Sequence, residues 1–90
     1  MNKQRRKQIS EVISRVESVQ AELESLLDDI QGSMDEETEY RDNIPENMQG
    51  GDRYEMADNA CRELEAAHET LENAKDSLEE VVSSLESAAE

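Results

Sequence analysis

Apolar residues recur every three or four positions along both halves of this chain, with charged and polar residues between them. In the first half Ile9, Val12, Val16, Val19, Leu23, Leu26 and Ile30 are spaced by alternating steps of three and four, an unbroken a/d heptad seam. Ile13 and Leu27 add e positions, which widens the stripe beyond what one partner helix covers. In the same register Ser33 and Glu37 are poor seam residues, but Tyr40 and Ile44 fall back into phase. Gly32, followed by the capping-box sequence Ser33-Met34-Asp35-Glu36, offers a place to end one helix and start another. The in-phase Tyr40 and Ile44 favour one helix from about Lys3 to about Asn43, because an internal glycine costs only ~1 kcal/mol relative to alanine.

In the second half Ala57, Leu64, Leu71, Leu78 and Leu85 repeat at every seventh position, each followed three residues later by Ala60, Ala67, Ala74, Val81 or Ala88. This predicts a second helix over about 53–89 with a Leu/Ala seam whose small d residues allow close approach. Asp52 with Glu55 reads as its N-cap. At 1.5 Å per residue the helices span ~60 Å and ~55 Å, matched arms for an antiparallel hairpin. Between them, about 44–52, Pro45 disfavours a helical Ile44, and Gly50 and Gly51 permit positive φ.

The predicted fold class is all-α: one antiparallel two-helix hairpin, coiled-coil-like, covering residues 1–90. Two helices cannot bury a stripe of a, d and e residues on both members, so self-assembly into a helical bundle is expected, a dimer of hairpins or a higher ring. Composition agrees, since 90 residues with no Phe, no Trp and two Tyr have little bulk for an ordinary globular core.

The net charge of −15 is unevenly placed. Residues 1–15 hold Lys3, Arg5, Arg6, Lys7 and Arg15 against Glu11, a local charge of +4, so the remainder carries −19. Most of the surface should repel nucleic acid and anionic membranes. No apolar run approaches the ~20 residues of a membrane span, and no signal-peptide core follows the charged opening, so a cytoplasmic protein is expected. Cys61 is the only cysteine and reads as a helix residue with no disulfide or zinc partner.

Three groups of residues are candidates for chemistry. Folding the chain about residue 48 brings Tyr40 and Arg41 opposite Arg53 and Tyr54, with Asn43, Asn47 and Gln49 adding amide groups. A tyrosine beside a guanidinium can stack on a base and hold a phosphate, although the same residues can serve only to close the hairpin. The basic opening opposes the helix dipole. Salt bridges to Glu79, Glu80, Glu86 and Glu90 explain it structurally, and a nucleotide-phosphate site at a subunit boundary, using Arg5 and Arg6, is the sharper alternative. Glu65 and His68 form Glu-x-x-His, a di-iron pattern when two helices supply it, but the seam places them at b and e, pointing away from the core. No metal or other cofactor is implied, and no catalytic constellation is recognisable, so the chain is expected to be a non-enzymatic protein.

The segment DEETEYRDNIPENMQGGDRYE, residues 35–55, resembles a segment of short uncharacterised acidic helical proteins of phages and mobile elements of Gram-positive bacteria. That family carries no assigned activity, so the resemblance implies a setting and no site residues. The setting is host defence and its antagonists, by analogy alone. Two functions are expected on these grounds. One is an anti-defence sponge, sequestering a nucleotide-derived signal through Tyr40, Arg41, Asn43, Arg53 and Tyr54, with Arg5 and Arg6 of another copy. The other is an acidic mimic of nucleic acid that blocks a host protein, and a purely structural coiled-coil module stands behind both. The expected partners are further copies of the chain and either that small molecule or a host protein; membranes are excluded and nucleic acid is disfavoured.

Overall fold

The computed structural model describes residues 1–90. Helix α1 spans Lys3–Asp42 and α2 spans Asp52–Ala88, joined by a 3₁₀ turn at Glu46–Met48. They lie antiparallel in a rod measuring 69 × 15 × 13 Å. The all-α hairpin is therefore the fold. Neither helix is long and apolar enough to cross a membrane.

Asn2 caps α1, its Oδ1 accepting from the Arg5 N–H at 2.8 Å. From there α1 runs unbroken through Gly32, and Ser33-Met34-Asp35-Glu36 starts no new helix. No neighbouring atom lies within 4 Å of where a Cβ on Gly32 would stand, so nothing in the packing requires glycine there. The turn is built differently from the expectation. No glycine has positive φ. Pro45, extended at ψ 141°, breaks the helical path, and the Met48 N–H then donates to the Pro45 carbonyl at 2.8 Å. Ile44, just before this turn, and Ala57, in the second turn of α2, are each only 3% exposed. Gly51, not Asp52, is the N-cap of α2, and Asp52 is its first helical residue, where a carboxylate suits the positive end of the helix dipole.

The seam itself differs from the a/d expectation. Between Ile9 and Met34 of α1 the half-buried and buried positions are Ile9, Ile13, Val16, Gln20, Leu23, Leu27, Ile30 and Met34; between Cys61 and Leu85 of α2 they are Cys61, Leu64, His68, Leu71, Lys75, Leu78, Val82 and Leu85. Both series use a and e positions, not a and d. Turning α1 this way buries Ile13, Leu27 and Met34 in place of Val12, Leu26 and Ser33, a gain in bulk at ~0.8 kcal/mol per buried methylene that offsets burying Gln20 in place of Val19. The polar members of the seam keep their heads at its edge. The Lys75 stem lies along the groove while its Nζ donates to Glu24 Oε1 at 2.8 Å. Glu24–Lys75, Thr38–Cys61 and Arg41–Asp58 all meet across the helices, and successive pairs step equal numbers of residues along both, so one register holds over this length.

Candidate functional site

Rotating the helices onto their a and e faces leaves two unlike flanks. At the b positions of α2 stand Asp58, Glu65, Glu72, Glu79 and Glu86, all carboxylates, and across the groove α1 adds Glu17 and Glu24. At the d positions of α1 stand Arg5, Val12, Val19, Leu26, Ser33 and Tyr40, and at those of α2 Arg53, Ala60, Ala67, Ala74, Val81 and Ala88. None of the 24 acids of the chain falls in these two rows. Val12, Val19, Leu26, Tyr40 and Val81 are between 40% and 51% exposed, which is high for residues in heptad register.

The cations of the acidic flank are committed to carboxylates. Arg41 Nη1 donates to Asp58 Oδ1 at 2.9 Å and Arg41 Nε to Asp42 Oδ1 at 3.1 Å. The hydrogen bond to Asp42 is the main reason the guanidinium is held charged beyond its ordinary range, with Asp58 contributing further. Arg62 shares Asp58 at 2.8 Å. The hydrogen bond from Lys75 holds the Glu24 carboxyl below the usual glutamate range, and Glu24 in turn raises Lys75. Beside this pair an open hollow of about 360 Å³ is lined by Leu27, Asp28, His68 and Glu72. His68 corrects the sequence reading: it is at e as expected, but e is a seam position, so its ring is half-buried with Nδ1 3.1 Å from Glu72 Oε1. Glu65 stays exposed.

The tip residues do not converge on one site. Tyr40 and Arg53 meet on the acid-free flank, where Arg53 Nε donates to the Tyr40 hydroxyl at 2.7 Å and its guanidinium carbon lies 5.3 Å from the ring centroid. Arg41 turns to the opposite flank. Tyr54 is half-buried in the seam, and Asn43 ends α1 as its C-cap, exposed. Tyr40 and Arg53 line an open hollow of about 470 Å³ together with Met56, Ala57, Ala60 and Glu37, an a-row carboxylate that borders the acid-free d rows. Sequence reasoning missed this division because it placed Tyr40 and Arg41 together as neighbours in the chain, whereas successive helical residues point ~100° apart.

Arg5 and Arg6 lie at the far end of the rod, at the start of α1. The salt bridges expected there are absent: the ion pairs of the hairpin involve Arg41, Arg62, His68 and Lys75, and none involves Lys3, Arg5, Arg6, Lys7 or Arg15. Arg6 reaches only the main-chain carbonyl of Glu90, at 3.5 Å. Of the α2 glutamates expected at this end, Glu79 instead lines a hollow with Glu17, Gln20 and Glu24, well along the rod from Arg5 and Arg6. No protein-family model, curated protein or solved structure matches the chain.

Proposed function

We propose that the chain is a non-enzymatic binding protein that presents its acidic flank to a basic protein surface, as a nucleic-acid backbone would. The observation that carries this reading is the segregation of charge. Carboxylates occupy every b position of α2, ~10 Å apart along a rigid rod, and the few cations among them are already paired. Such a row attracts a basic groove and repels DNA and RNA. The resemblance of residues 35–55 to acidic phage proteins supplies the setting, an anti-defence role in the host cytoplasm. A basic DNA-binding domain loaded with labelled duplex is the probe. The parent protein displaces the duplex, the displacement weakens steeply with added salt, and the Glu65→Gln/Glu72→Gln/Glu79→Gln variant loses it. Equal displacement by parent and variant would remove the reading.

A second reading, capture of a nucleotide-derived signal, is favoured by one observation: Arg53 is the cation of the tip with no carboxylate partner, and it sits on Tyr40 beside an open hollow. Calorimetry with cyclic and linear dinucleotides tests it. Heat that vanishes in Tyr40→Ala and Arg53→Ala supports capture, and a parent protein that gives no heat ends it.

A further inference from the structure

We infer that the acid-free flank is the contact surface for a second copy of this chain, packed face to face with its tip at the opposite end. Three observations converge on that occupant.

The first is area. A compact folded chain of 10.2 kDa exposes about 5,300 Å², whereas this hairpin exposes 6702 Å². A face of 69 by 15 Å has about 1,000 Å² in projection, enough for the ~800 Å² that each partner contributes to a stable interface. Within the hairpin, Leu27, Ile44, Ala57 and Cys61 are the only buried residues and no side chain is fully enclosed. A second copy supplies the core that one copy lacks.

The second is composition along the face. A chain with 24 acids keeps every one out of the two d rows. A basic partner would be met by carboxylates, and a copy of this chain would be repelled by them, so their exclusion suits a like-charged apolar partner. The α2 row is alanine at Ala60, Ala67, Ala74 and Ala88, small residues over which a second copy can approach closely.

The third is charge along the rod, which sets the orientation. The basic opening of α1 has no ion-pair partner in its own chain, while the tip half, Asp28 to Asp58, carries eleven carboxylates against Arg41 and Arg53. With tips at opposite ends, each basic opening lies over the other copy's acidic tip; with tips together, the two acidic ends coincide. A two-fold axis crossing α1 between Val19 and Leu26 sets Val19 against Leu26, Val12 against Ser33 and Arg5 against Tyr40 of the second copy. That last contact brings a second guanidinium to the Tyr40–Arg53 pair, so the hollow at each tip is completed by the other copy.

Native mass spectrometry with sedimentation tests the pairing. The parent should have twice the 10.2 kDa chain mass. The Val19→Glu/Leu26→Glu variant, and separately Ala67→Glu/Ala74→Glu, should dissociate at least a hundredfold more readily while keeping helical circular dichroism. Glu17→Gln/Glu72→Gln on the acidic flank should leave the mass unchanged. A monomeric parent, or a dimer that survives both d-row variants, overturns the inference. Orientation is read by Val12→Cys/Ser33→Cys in a Cys61→Ser background. These positions are ~30 Å apart within one helix, so a disulfide forms only between copies with opposed tips. A dimer that fails to cross-link overturns the orientation.

Discussion

Leu26 and Leu27 are adjacent in sequence and opposite in environment, and replacing each by alanine separates the a/e seam from the a/d seam. Leu27 is 9% exposed and Leu26 is 40% exposed. At ~0.8 kcal/mol per buried methylene, the three carbons lost in Leu27→Ala remove about 2 kcal/mol, with a small cavity term because a two-helix layer can settle inward. Leu26→Ala loses less than about 1 kcal/mol in the single hairpin, since its outer half already meets water and alanine is the better helix former. The gap of at least ~1 kcal/mol corresponds to about 4–8 °C in melting temperature for a chain of this size. Thermal and urea unfolding followed by circular dichroism measure it, at a protein concentration where the hydrodynamic mass is that of one chain. In the same experiment at high concentration, Leu26→Ala becomes the more costly of the two relative to its dilute value, because its row then lies in the contact between copies. Equal costs in the single hairpin, or a larger one for Leu26, would refute the seam described here.

Gly32→Ala should stabilise α1 by about 0.5–1 kcal/mol, because the helix needs no special backbone there and no atom obstructs the added methyl; a matched pair of unfolding curves checks it. Arg41→Ala should lower stability only slightly, and a double-mutant cycle with Asp58→Ala should attribute most of the loss to the pair, Arg62 keeping Asp58 partly neutralised. The Glu24 carboxyl should titrate below the ordinary glutamate range by NMR and return to it in Lys75→Met. Because its folded value is depressed, its contribution is present above the unfolded glutamate range and is lost as acid carries the pH down through the folded value. Lys75, raised in the fold, contributes below the unfolded lysine range and loses its share as alkali carries the pH up through its folded value.

The hairpin was legible because its signals are redundant: heptads in both halves, a proline between them, and in-phase residues beyond Gly32 that outweigh one weak helix former. The face that each helix turns inward was not. Val12 and Ile13, and Leu26 and Leu27, are adjacent apolar pairs that support two registers, and in the correct one Gln20, His68 and Lys75 stand at seam positions that polarity argues against. The long stem of Lys75, and the partners found by its ammonium and by the His68 ring, make those two acceptable there. That single rotation accounts for the rest. It moves the rows read as core onto a flank, brings His68 inward, and sends Tyr40 and Arg41 to opposite sides of the tip. The basic opening was legible as an electrostatic problem, but which carboxylates could answer it depended on where α2 places them along and around the rod.

Cys61 gives the molecule a built-in reporter. Its sulfur lies in the seam, 8% exposed as a residue and 3.7 Å from Thr38 Oγ1, so a reagent reaches it only when the helices part near the tip. Alkylation of this one thiol therefore clocks local opening of the native protein, without denaturant and without an engineered label. The single cysteine is thus a direct readout of how often the two charged helices come apart.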